Sequence, residues 1–160
     1  IYNGPVKNPA DRSFDVKIYM PRSSDTITLL LDTGKIKIFD DIKGELTARV
    51  NMANIDINRI EGTLKVEGDM CDLRVAQGEL RSGSTVKVNF GYIKVKAKLD
   101  ESGTYDFETG VGNIELTLPE KTKINLDASG TIDIKDIENS DDGIRIRAHT
   151  GMGNVSINKY

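Results

Sequence analysis

The sequence predicts an all-β chain wound as a single-stranded parallel β-solenoid (β-helix) of about seven turns, roughly 20 residues each, and three observations carry that expectation. The first is a five-residue pattern, small-x-aliphatic-x-aliphatic. It stands at Gly34–Ile38, Ala53–Ile57, Cys71–Val75, Gly91–Val95, Gly112–Leu116, Gly130–Ile134 and Gly153–Ile157. The second is its spacing. The central aliphatics Ile36, Ile55, Leu73, Ile93, Ile114, Ile132 and Val155 are 19, 18, 20, 21, 18 and 23 residues apart, a period at which one supersecondary unit stacks on the next. The third is parity: apolar residues two apart leave one side of a strand, and the polar residue between them leaves the other. All fourteen inward positions are Ile, Leu or Val.

Taken in order, residues 1–13 are rich in Asn, Pro, Asp and Lys without a period and read as a loop or cap remnant; 14–160 form one domain. Phe14, Val16, Ile18 and Met20 alternate as a strand that Pro21 stops, because proline has no N–H for a ladder. Ile27, Leu29 and Leu31 then lead into the first copy. A second, looser set of strands falls between the copies at Gly44–Ala48, Gly62–Val66, Thr85–Val88, Gly103–Phe107, Ile124–Ala128 and Ile144–Ala148. Each repeat therefore holds at least two short strands. Asp136–Asp142 is short, polar and followed by Gly143, and reads as a turn. A β-sandwich also fits strands at this density, but a Greek key gives no reason to place a small residue two before an inward aliphatic seven times.

Composition narrows the function classes. A net charge of −3 without any basic block argues against an electrostatic grip on nucleic acid. Apolar runs such as Leu29–Leu31 fall far short of the roughly 20 residues of a spanning helix. The chain opens on Ile1, which suggests a fragment or processed chain, so a membrane link would run through a segment outside it. One cysteine excludes an internal disulfide. Cys71 occupies the small-residue slot and reads as a packed thiol.

Catalytic constellations are thin. The adjacent acids Asp40-Asp41 and Asp141-Asp142 sit at turn sequences, where Asp bonds its own backbone. The one histidine, His149, lacks the hexapeptide period of acyltransferase helices. Neither a metal nor a cofactor is expected, and the chain reads as no enzyme. The outward aromatics, taken as Tyr2, Tyr19, Tyr92 and Tyr160, make no stacking stripe for a glycan. What parity does assemble is an outer face of Lys37, Asp56, Arg74, Lys94, Glu115, Asp133 and Ser156. In chain order Glu115 and Asp133 become like-charged neighbours, relieved by Lys135 or a cation, which makes that end the contact candidate for a basic partner.

The Gly-x-Ile-x-Ile copies, the stretch LPEKTKINLDASGTIDI and the closing IRIRAHTGMGNVSI resemble a bacterial adhesin-type domain family of unknown function, over roughly Phe14 to Asn158. Ala53 and Cys71 depart from the family's usual Gly, and Gln77–Gly83 is irregular. The resemblance implies a single-chain, right-handed β-helix and an extracytoplasmic place at the cell surface or envelope. The expected function is a non-catalytic interaction module whose partner is a protein or envelope component. The alternative is a structural or sensor domain of a membrane-anchored envelope stress-response protein.

Overall fold

The structure, a computed structural model, describes residues 26–160; the expected loop 1–13 and the Phe14–Met20 strand lie outside them. The described chain is all-β. Its elements are β1 (Thr26–Leu80), β2 (Thr85–Phe90), β3 (Ile93–Leu99), β4 (Thr104–Val111), β5 (Ile114–Leu118), β6 (Lys123–Ile134), β7 (Glu138–Asn139) and β8 (Ile144–Lys159). Every pairing between them is parallel, which removes the antiparallel sandwich. β1 pairs with both β2 and β3, and β8 with both β4 and β5. The sheet β4-β2-β1-β3-β5-β8 thus closes on itself, with β6 and then β7 added beyond β8.

Two ladders run through this sheet. One carries the first half of each repeat, with Val66 beside Val86 and Val86 beside Phe107. The other carries the second half, with Leu73 beside Ile93 and Ile93 beside Ile114. β1 is far longer than an ordinary strand of about 3–10 residues. It also lies alongside itself: the Asn51 amide reaches Asp32 and the Asn58 amide reaches the Phe39 carbonyl, each 19 residues back. The inward residues of both ladders meet in one core of Ile, Leu and Val, with Tyr105 and Phe107 as its largest members. Tyr105 is fully buried, and its hydroxyl donates to Leu80 O (2.8 Å) and accepts from the Asp100 N–H (2.7 Å).

The small-residue slot is the bend between the ladders. At Gly112 and Gly153 φ is +146° and +150°, a region L side chains rarely enter. A Cβ on Gly153 would stand 1.8 Å from Gly112 O, and one on Gly112 1.8 Å from Gly91 O. Stacked bends therefore leave no room for a side chain. Ala53 and Cys71 fill the same slot without positive φ, which accounts for these departures. The irregular stretch appears as a register shift between Val75 and Gly78. Asp136–Asp142, expected as a turn, contains the two-residue β7, which pairs with Lys123 and Ile124.

One expectation is corrected: the last two repeats do not stack in chain order. Ile114 lies beside Val155, and Ile132 lies beyond Val155 on the far side. β8 is interior and β6 lies outside it, with only the two-residue β7 beyond, although β6 comes before β8 in the sequence. Burial follows position in space: Val155 and Ile157 are fully buried, whereas Ile132 is 47 % exposed. Charge gives a physical reason. Arg147 sits between Asp106 of β4 and Asp127 of β6, and Ser156 between Glu115 and Asp133. Chain order would have set Asp106 against Asp127 and Glu115 against Asp133, and like charges on opposed strand positions are destabilising.

Candidate functional site

The predicted outer face is present in part as an assembled row. Arg74 lies beside Lys94, and Lys94 beside Glu115, with Lys94 Nζ 2.8 Å from Glu115 Oε1. Lys37 is exposed between Ile36 and Ile38, and Asp56 is half-buried between the buried Ile55 and Ile57. Among the described residues, no opposite charge lies within ion-pair distance of Lys37, Asp56 or Arg74. The Glu115–Asp133 end is corrected, since Ser156 separates the two. Asp133 is held instead by Lys135 at 3.2 Å. The repulsion that made this end a contact candidate does not arise.

A denser charge pattern lies on the other ladder. Glu67 opposes Lys87, Lys87 opposes Glu108, and Glu108 opposes His149. Lys87 Nζ reaches Asp106 at 3.2 Å and Glu108 at 3.4 Å, and these carboxylates, Asp106 first, hold its ammonium above the usual range. His149 Nε2 is 3.1 Å from Asp127 Oδ1 but out of line for a hydrogen bond. Lys87 offsets Asp106 and Glu108, and Arg49, 3.2 Å away, offsets Glu67; opposite charges on adjacent strands favour one register.

The candidate chemical groups are engaged locally. Asp142 accepts from the Ser140 hydroxyl, which lowers its carboxyl below the ordinary value. Asp41 lies 3.9 Å from Arg59. Cys71 is buried, and desolvation lifts its thiol to about 11, so it is protonated at neutral pH and a poor nucleophile.

A different feature stands out on the surface. The residue before each bend is large, apolar and exposed in five consecutive layers: Met52, Met70, Phe90, Val111 and Met152, from 38 % exposed at Val111 to 65 % at Met152. Met70 is beside Phe90, Phe90 beside Val111, and Val111 beside Met152. The interior position of β8 makes the stripe continuous. In chain order Ser129 would have stood between Val111 and Met152. Instead the β6 bend is shorter, Ser129 pairs with His149, and Met152 stays uncovered.

Shallow concavities flank this ridge. One, of about 480 Å³, is lined by Met52, Met70, Phe90 and Asp72 among others; the second, about 720 Å³, has Leu30, Arg49, Glu67 and Asp69 in its wall. Besides Glu67, which pairs with Arg49, three carboxylates rim them, each oriented by an amide of the next layer. Asp32 Oδ1 accepts from Asn51 Nδ2 (3.0 Å), Asp69 Oδ1 from Asn89 Nδ2 (2.7 Å) and Asp72 Oδ1 from the Tyr92 N–H (2.9 Å).

Sequence reading missed this stripe because it weighed outward aromatics for sugar stacking and left out Phe90 and the methionines. The signal was there: parity sends the residue before the small slot outward, and it is Met, Met, Phe, Val and Met in five of seven copies. Of the aromatics that were weighed, Tyr2 and Tyr19 lie outside the described residues. Tyr92 and Tyr160 are exposed, with Lys96 Nζ 4.3 Å above the Tyr160 ring. No family model matches the chain, and no curated protein or solved structure is significantly similar to it.

Proposed function

We propose that the chain is a non-catalytic interaction module of the bacterial cell surface or envelope, built as a right-handed β-solenoid of about seven turns. Parallel neighbours related by about 20 residues along the chain support the solenoid. The observation that carries the interaction reading is the continuous ridge Met52-Met70-Phe90-Val111-Met152. Contiguous exposed apolar surface is costly to keep on a lone domain and marks interaction sites. Scattered apolar residues would need no explanation, but one at the same position in five consecutive layers does.

The test is a sedimentation assay of purified chain against bacterial envelope fractions, comparing wild type with a Met70→Asn/Phe90→Asn double variant. Both side chains are exposed, so the variant retains the fold, checked by circular dichroism. Saturable binding lost in the variant is the expected result. Absence of binding, or equal binding by both, overturns the reading.

A further inference from the structure

The proposed interaction role leaves the partner's chemistry open, and the ridge narrows it. Resting on that reading, we propose that its occupant is a basic amphipathic helix of a partner protein, laid lengthwise along the bends. Its apolar seam would cover Met52, Met70, Phe90, Val111 and Met152, and its Lys or Arg residues would meet Asp32, Asp69 and Asp72.

Three properties of the ridge lead there. The first is pitch. Five layers spaced about 4.8 Å span about 19 Å, and a helix advances about 5.4 Å per turn. About 13 residues therefore run the length of the ridge, and the four seam positions i, i+3/i+4, i+7 and i+11 lie along its five layers.

The second is width. The ridge is narrow, bordered by Asn51, Asn54, Asn89 and Asn113, with the exposed Tyr92 beside Phe90 widening it in one layer. A stable homodimer covers about 800 Å² per partner, and a second copy laid flat here would press polar rims together to bury a single file of side chains. A cylinder meets such a file along one line and clears the rims. Methionine suits this use, since its unbranched, polarizable side chain adapts to a seam of varying shape.

The third is charge. Asp69 and Asp72 stand on either side of Met70, three positions apart from each other across the bend. Each of the three rim carboxylates spends Oδ1 on a neighbouring amide, which fixes it without neutralising it. Arg49, the cation in the wall of the second concavity, is already 3.2 Å from Glu67. Next to the apolar file the oriented charge is therefore negative, and a cationic flank complements it.

The experiment uses the chain with 13C-methyl-labelled methionine and three probes. These are a helical leucine–lysine peptide of about 14 residues with one leucine seam, its leucine–glutamate counterpart, and phosphatidylcholine vesicles containing phosphatidylglycerol. The lysine peptide is expected to shift the Met52, Met70 and Met152 methyl signals together. Its affinity should fall at least tenfold in Met70→Asn/Phe90→Asn, and severalfold in Asp69→Asn/Asp72→Asn, with the salt dependence of an ionic contact. Equal binding of the glutamate peptide, vesicle binding in place of peptide binding, or a concentration-dependent dimer abolished by Phe90→Asn would each overturn the proposal. So would the absence of methyl shifts with the lysine peptide. If envelope binding still depends on Met70 and Phe90 in that case, the interaction reading survives and only the helical occupant fails.

Discussion

β6 and β8 carry nearly the same alternating pattern, yet one lies at the outer end of the sheet, with only the two-residue β7 beyond it, and the other lies inside. In β8, Ile146, Val155 and Ile157 are buried; in β6, Ile124 is buried, Leu126 partly covered and Ile132 half exposed. The difference teaches that a repeat's place in the stack follows from what its two faces can accept, rather than from its place in the chain. β8 has Arg147 to set between two aspartates and Gly151 and Gly153 for close bends. β6 has a shorter bend and tolerates an open side. The last strand of the sequence is thereby clamped between two neighbours.

The largest test of this contrast is a pair of core truncations. Ile157→Ala removes a side chain enclosed on both sides and should cost about 2–5 kcal/mol; Ile132→Ala, at the open end, should cost well under half as much. Urea denaturation of both variants measures it. Equal losses would mean that β6 is enclosed too, and a larger loss at Ile132 would restore chain order.

The next test probes β4, which β8 covers. Tyr105→Phe keeps the ring but strips Leu80 O and the Asp100 N–H of their shared partner, at a cost of about 1–3 kcal/mol. Burial also raises the Tyr105 phenol to about 12 and the Cys71 thiol to about 11. Both groups are raised above their unfolded values, 10.0 and 9.0, so the unfolded chain gives up these protons first. The stability they contribute is whole below pH 9 and falls as pH rises toward 11 and 12. Cys71→Ala should move the onset of alkaline unfolding upward, and Tyr105→Phe should remove the later part of the loss. An alkaline transition unchanged in both variants would contradict the burial of these groups.

Much of this was legible beforehand. Alternation at Ile55, Leu73 and Ile93, the period near 20 and the tight bends at Gly91, Gly112 and Gly153 are written in residue type, because sterics at each bend allow little else. The interchange of β6 and β8 was not legible from apolar pattern, since Ile132-x-Ile134 and Val155-x-Ile157 are equivalent inward pairs. It required comparing the charges each order would oppose. The contact face was legible as a row but not in its sequence of neighbours, so the Glu115–Asp133 contact dissolved once Ser156 came between them. The apolar ridge was hidden for a different reason: outward positions were expected to be polar, and an exception repeated in five layers carries meaning only when the layers are put in order.

Charge at the centre of the interchange gives a smaller effect. Arg147→Glu would place a third carboxylate between Asp106 and Asp127, turning two attractive neighbours into repulsive ones, at about 1 kcal/mol in total. Arg147→Ala should cost less, since it removes attraction without adding repulsion. Added salt should shrink the penalty of Arg147→Glu, measured as the difference in urea midpoint at low and high ionic strength. A penalty insensitive to salt would point to packing in place of charge.

The smallest effect discriminates most sharply between the two orders. Ser156→Lys sets an ammonium between Glu115 and Asp133 on adjacent strands, and each such opposed pair is worth about 0.2–1 kcal/mol. Lys94 and Lys135 already engage these carboxylates, so the gain should fall at the low end of that range. Its partition is what matters. With β8 inside, Lys at 156 couples to both acids, and a double-mutant cycle with Glu115→Gln should return a nonzero interaction, as should one with Asp133→Asn. With the repeats in chain order, residue 156 would touch Asp133 alone and lie about 9.6 Å from the layer of Glu115, two strand spacings away. At that distance, with solvent between, the Glu115 cycle would close near zero. A Glu115 coupling comparable to that of Asp133 therefore places the final strand between them, and a coupling found only with Asp133 would return it to the end of the sheet.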